Sequence, residues 1–266
     1  MSISKETTVI NDPDKTIDFN HLIICPGHAI PSYDGNVLAE MYDEKNWVGL
    51  FGYGPGSKEQ ELYIKHIEVA VDEASKDPHA MLVFSGGYTR APNLFHQPQF
   101  VNCGDYYEIT QTPTKVFSEA RGYYNVARLL ADRFKPDLNN RIRLEEFARD
   151  SYENCLNALS LFKSETGKIP EKVSVCGFIF KAGRYDFHIE MIKQKYGIGF
   201  EFKYLGVNNS PNKPPELAIL PKSLKGESAT LDAFNLDPHG TGTELMSKKL
   251  TRDFLPNRTL PFTLLQ

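Results

Sequence analysis

Cysteine is scarce in this chain, and the four present, Cys25, Cys103, Cys155 and Cys176, are scattered without a C-x-x-C pair. That spacing gives no redox or zinc motif and points to buried free thiols, with Cys25 and Cys176 in or beside apolar strand-like runs. Basic residues are not in excess, since 30 Lys and Arg face 34 Asp and Glu for a net charge of -4. A polyanion meets no broad attraction there, so nucleic acid is not an expected partner. No uninterrupted apolar stretch is long enough to span a bilayer, and the opening MSISKETTVINDPDKTIDFN has no basic segment followed by an apolar one. The expectation is a cytoplasmic protein without a membrane partner, in which the N-x-S/T triplets at Asn208 and Asn257 are chance matches.

Several catalytic signatures are missing as well. There is no H-x-H or H-E-x-x-H, so no dedicated metal site is expected, and no G-x-S-x-G elbow of an ordinary esterase. The run from Gly52 to Lys58 (GYGPGSK) looks like a phosphate loop but fits neither glycine fingerprint, and Pro55 removes one N–H donor.

What is present is an alternation of short apolar runs with longer segments of helical period, the pattern of parallel strands joined by crossover helices. Five runs stand out: His21 to Cys25, Ala80 to Phe84, Arg141 to Glu145, Val173 to Phe178 and Phe200 to Leu205. Between the first two, Leu62, His66, Ile67, Ala70, Val71 and Ala74 form one stripe of a helix spanning Ser57 to Ser75. A second helix is expected from Ser118 to Phe134. Asp150-x-x-Glu153 reads as a capping box opening a third, which Gly167 ends, and a fourth runs from about Gly183 to Tyr196 before Gly197.

Two stretches break the repeat. Tyr88 to Val116 holds Pro92, Pro98 and Pro113 with several aromatics, and so long a connection reads as a flap over a site. The tail from Asn208 to Gln266 begins proline-rich (SPNKPPE), with helices expected near Leu217 to Phe234 and Thr243 to Arg252. The whole is read as a single α/β domain with a mostly parallel sheet, a core of about 20–207 and a C-terminal extension, 208–266, packed on it.

Right-handed crossovers place all strand C-termini and the following helix N-termini at one edge, where ligands of such folds bind. The residues there are Gly27 and His28 after the first run, then Ser85, Gly86, Gly87, Thr89 and Arg90 after the second. Glu145, Asp150 and Ser151 follow the third, and Lys181 and Arg184 the fourth, while Glu119 and Asn154 lie in first helical turns. Gly86 and Gly87 would let backbone approach a ligand, and Arg90, Lys181 and Arg184 would hold a phosphate or carboxylate. Glu119 and Glu145 are the candidate acid/base pair, His28 a proton shuttle, and His188 stands one turn after Arg184 on the same face. Asp150 and Glu153 are expected to cap.

Taken in order, HLIICPGHAI, MLVFSGGYTR, SEARGYYNVARLL, LEEFARDSYENCLNAL and VSVCGFIFKAGRYDFH resemble the SanA/YdcF-like family, a domain of unknown function. The tail segment LDPHGTGTELMSKKL looks like a eukaryotic, fungal-type branch. The resemblance implies a Rossmann-like three-layer α/β/α fold with a polar cleft. Its matching positions are Gly27, Ser85, Gly86, Gly87, Glu119, Glu145, Ser151, Glu153, Asn154 and Arg184. Where bacterial members carry a His-x-x-Arg-Ala block, this chain has Phe180-Lys181-Ala182-Gly183-Arg184, so no role of that histidine transfers. Nor does an envelope role, because the membrane anchor of many bacterial members has no counterpart here.

The family has no settled reaction and names no cofactor. The expectation is an enzyme, hydrolase or transferase, acting on a small phosphorylated or anionic metabolite. Two alternatives stay open: a non-catalytic binding module for a nucleotide-like ligand such as S-adenosylmethionine, and an interaction protein using its proline-rich tail.

Overall fold

The computed structural model describes residues 17–31, 35–43, 46–48, 59–89, 100–102, 107–109, 115–130, 134–207, 221–255 and 258–266. Arg90, Cys103, the 52–58 loop, most of the expected flap and the SPNKPPE segment lie outside these residues.

Five parallel strands form the central sheet: β1 (His21–Pro26), β4 (Ala80–Ser85), β8 (Ile142–Glu145), β9 (Lys172–Phe178) and β10 (Glu201–Val207), in the order β10-β9-β1-β4-β8. Two minor sheets flank it, one from β2 (Ile30–Pro31) and β3 (Trp47–Val48), the other from β5 (Phe100–Asn102), β6 (Tyr107–Ile109) and β7 (Lys115–Val116). The last three lie within the connection that the sequence marked as aperiodic. Strands of two and three residues are too short to register as a period-2 pattern.

β1 and β4 are buried at every residue because both faces of the sheet are covered there, whereas the edge strand β10 alternates toward the surface. Side chains alternate along β1, so Ile23 and Cys25 enter one core layer with α1 (Glu59–Lys76) and α2 (Glu119–Leu129), while Leu22 and Ile24 enter the other. That second layer is supplied by α3 (Ser151–Thr166) and α4 (Ala182–Tyr196). The result is a three-layer, Rossmann-like α/β/α architecture. Ala233 and Phe234 of α5 (Pro221–Leu236), Leu245 of α6 (Thr243–Leu250), Phe262 and Leu265 also pack into the second layer. Fully burying each such large apolar side chain is worth about 1.5–3 kcal/mol.

Local chemistry sets the helix ends. The Ser118 hydroxyl accepts from Arg121 N–H at 2.9 Å, and Asp150 accepts from Glu153 N–H at 2.8 Å. Glu153 reaches back to the Arg149 N–H at 2.9 Å, one residue before the cap. Gly167 and Gly197 stop α3 and α4 with φ of 74° and 61°. α2 ends at Leu129, earlier than its periodicity implied, and buries Tyr123 and Val126 beside the expected Ala120 and Ala127. Cys25, Cys155 and Cys176 are buried free thiols.

Candidate functional site

Chain order dictates where the sheet opens. From β1 the chain steps outward through β4 to β8, then crosses back over β1 to β9 and outward again to β10. Connections therefore leave β1 and β9 toward opposite faces, which parts the loops between them and leaves a crevice at the strand C-termini. A cavity of about 440 Å³ lies there. Gly27 and His28 after β1 and Phe180 and Lys181 after β9 form its center. Glu119 of α2, Thr89 and the Ala148 to Ser151 turn line one side, with Asn154, Arg184 and Tyr185 from the starts of α3 and α4. Gly226, Glu227 and Thr230 of α5, with Arg252, close the rim.

Of the residues singled out from sequence, Gly27, His28, Thr89, Glu119, Ser151, Asn154, Lys181 and Arg184 thus share one cavity. Ser85, Gly86, Gly87 and Glu145 do not line it. The Gly86–Gly87 backbone, expected to approach a ligand, is committed to protein. Their carbonyls accept the Ala120 and Glu119 N–H groups at 3.1 Å each, while Gly86 and Gly87 N–H donate to Glu145 O and Ala148 O at 2.8 and 2.7 Å. What approaches closely is Glu119. A Cβ on Gly27 would sit 2.3 Å from Glu119 Cβ, and one on Gly86, whose φ is +151°, 2.7 Å from Glu119 Oε2. Both glycines clear a channel for that side chain, and its carboxylate then accepts from the Thr89 hydroxyl.

Glu145, expected as an acid/base partner of Glu119, is fully buried behind the cavity wall. Register pairs it with Ser85, whose hydroxyl donates at 2.5 Å. Its other oxygen accepts from Phe147 N–H, Ala148 N–H and Asn157 Nδ2 at 2.8, 3.0 and 3.1 Å. Burial raises its pKa to about 7 against those four hydrogen bonds. Its carboxylate organizes the chain at Phe147 and Ala148 and does not line the cavity.

The cations differ in their surroundings. The Arg184 guanidinium grips Glu227 through Nε and Nη2 at 2.7 and 2.8 Å, and its Nη1 donates to Ser151 Oγ. The Ser151 hydroxyl also shares a hydrogen bond with His188 Nε2 at 2.8 Å. Burial, then the charges of Arg184 and Lys249, push the His188 pKa well down, so the ring is neutral. Lys181 Nζ lies 3.0 Å from His28 Nδ1, and its pKa is lowered to about 7 by burial first and by Arg184 second. His28 in turn stacks on Phe178 and His66, ring centers 5.0 and 5.3 Å away.

Asp150 and Glu153, besides capping α3, bracket the buried Lys249 of α6 at 3.3 and 3.2 Å, and Glu153 also pairs with Arg149 at 2.7 Å. The C-terminal extension is thereby fastened to the rim. Sequence reading missed Glu227 and Lys249. The only available signal was a helical period in the tail, which says nothing about which helix face meets α4. No group of three or more His, Cys, Asp or Glu that could hold a metal occurs among the described residues, nor does a helix long and apolar enough to cross a membrane.

Fold and cavity together define a doubly wound α/β protein with a polar pocket at its switch point. No family model matches the chain, and no solved structure does. The chain is similar to the uncharacterised protein YOR238W of Saccharomyces cerevisiae, at 27% identity over 127 residues. The aligned part covers 46% of this chain and 40% of the yeast protein.

Proposed function

We propose that this chain is an enzyme, a hydrolase or transferase, acting on a small phosphorylated or otherwise anionic metabolite in the switch-point cavity. One observation carries the reading: Lys181 and Arg184, both largely buried, stand one helical turn apart beside Glu119 and His28 in a cavity of metabolite size. Arg184 is the anion contact, and the planar fork it offers is the one that already holds the Glu227 carboxylate. An entering anion shares or displaces Glu227. Glu119, steered by Gly27 and Gly86, moves the proton, with His28 conveying it. Kinship with the SanA/YdcF-like family is part of the proposal. It is supported by the convergence of Gly27, Glu119, Ser151, Asn154 and Arg184 on one cavity.

The test is thermal-shift titration of the full chain with inorganic phosphate and a panel of sugar phosphates and nucleotides, followed by turnover of whichever ester binds. Arg184→Ala is expected to weaken binding at least about tenfold, the loss of one bidentate charge-assisted contact. Glu119→Gln retains binding and loses turnover. Unchanged binding and turnover in folded Arg184→Ala and Glu119→Gln proteins refutes the proposal, and a ligand held tightly but never consumed makes the chain a binding module instead.

A further inference from the structure

Behind the cavity wall a single hydroxyl hydrogen faces more than one acceptor. Ser85 Oγ, on β4, lies 2.5 Å from Glu145 Oε2 and 2.9 Å from Asn154 Oδ1, with the Asn154 main-chain carbonyl at a distant 3.5 Å. The other oxygen of the Glu145 carboxyl is filled by the Phe147 and Ala148 N–H groups and by Asn157 Nδ2. A proton on that carboxyl therefore sits on Oε2 and points at Ser85. Asn154 is the link to the cavity, since it lines the wall and its side chain also bonds the Tyr185 hydroxyl there. We propose that Glu145 is a positioning residue whose proton, relayed through Ser85, sets whether the Asn154 amide shows the cavity its N–H donors or its carbonyl oxygen. This rests on the anion-cavity reading and adds Asn154 as the amide contact of the anion, available only while Glu145 is protonated.

Two arrangements satisfy these side chains. With Glu145 protonated, Oε2–H donates to Ser85 Oγ, the Ser85 hydrogen goes to Asn154 Oδ1, and Asn154 Nδ2 is left to donate to Tyr185 and into the cavity. With Glu145 ionized, Ser85 donates to the carboxylate instead. The Asn154 amide then turns over to donate to Ser85 Oγ, and its oxygen, accepting from the Tyr185 hydroxyl, stands where an anion would be repelled. The groups along this relay, Ser85 of β4, Asn154 and Asn157 of α3, Tyr185 of α4 and the Phe147 and Ala148 N–H groups, are uncharged, so the proton on Glu145 decides between the two. Burial raises the pKa of that carboxyl to about 7, which places the change near neutral pH. By reciprocity, an anion that binds only the first arrangement holds the proton on Glu145.

The experiment follows the Asn154 side-chain amide of the full chain by heteronuclear NMR from about pH 5 to 9, with and without sulfate, a phosphate mimic of constant charge over that range. The amide signals, assigned by their loss in Asn154→Asp, should titrate with a midpoint of about 7 in the native chain. They should stay fixed in Glu145→Gln, whose amide donates to Ser85 at every pH, and in Ser85→Ala, which cuts the relay. Lys181 shares the cavity and titrates in the same range, so Lys181→Met is the control in which the Asn154 titration persists. Sulfate should move the native midpoint upward. At about pH 8.5 it should bind Glu145→Gln about tenfold more tightly than the native chain, the worth of one hydrogen bond to a charged group. Asn154 signals that do not titrate, that titrate alike in native and Glu145→Gln proteins, or that stop titrating in Lys181→Met overturn the proposal, even where sulfate binds and the anion-cavity reading stands. Equal sulfate affinity of native and Glu145→Gln proteins at that pH overturns the Asn154 contact, and sulfate bound by neither at any pH overturns the anion-cavity reading itself.

Discussion

Replacing Lys181 by methionine tests the electrostatics of the cavity before any substrate is known. Methionine keeps the length of the stem and removes the charge. Lys181 is 7% exposed, so solvent screens it little. Its pKa falls from 10.5 to about 7 on folding, and each unit corresponds to about 1.36 kcal/mol. Keeping this lysine buried therefore costs up to about 5 kcal/mol near neutral pH. The variant forfeits the bond to His28 Nδ1, worth about 1–2 kcal/mol. At pH 7, Lys181→Met is thus expected to be about 3 kcal/mol more stable than the native chain.

The sign with pH is distinctive. Between about pH 7 and 10.5 the unfolded chain holds a proton on Lys181 that the folded chain has released, so native stability rises with pH in that window. The variant lacks this slope, and its advantage shrinks by up to about 5 kcal/mol as pH approaches 10.5. Urea denaturation of both proteins at matched pH values measures the difference directly, because every other group titrates in both. A difference that stays flat from pH 7 to 10 refutes the claim that Lys181 is desolvated.

Glu145→Ala leaves Phe147 N–H, Ala148 N–H and the Asn157 amide without their acceptor, at about 1–3 kcal/mol each, and should cost about 3–5 kcal/mol in chemical denaturation. Glu145→Gln preserves the acceptor and should stay within about 1 kcal/mol below pH 4.5, where the native carboxyl is protonated. Because the Glu145 pKa is raised, its contribution is present below pH 4.5 and lost as pH rises toward about 7, so the Gln variant should flatten that part of the stability profile. Gly27→Ala drives a methyl into Glu119 Cβ, and about 1–3 kcal/mol of overpacking with displacement of that carboxylate should appear in a melting curve and in lost turnover. Lys249→Met leaves Asp150 and Glu153 facing each other without their buried cation, a loss of about 3–5 kcal/mol. Hydrogen exchange should then quicken first in α6, and protection unchanged there would show that the pair does not fasten the tail.

The five strands of the central sheet, the four core helices and the ends of one of them were legible in the sequence because they are local: short apolar runs, a 3.6-residue stripe, and Asp150 and Gly167 at the ends of α3. Gathering Gly27, Glu119, Lys181 and Arg184 at one edge was legible too, since it follows from the handedness of crossovers and not from side-chain detail. Depth was not legible. Glu119 and Glu145 look alike in the sequence, yet one enters the cavity through a channel cleared by two glycines and the other is walled behind Ser85. Likewise Arg184 and Lys181 are three residues apart, but only packing decides that one meets Glu227 from the C-terminal extension while the other meets an imidazole between aromatic rings. Sequence spacing settles which element a residue belongs to, whereas its charge state and reach depend on neighbors tens of residues away that only the folded chain brings into contact.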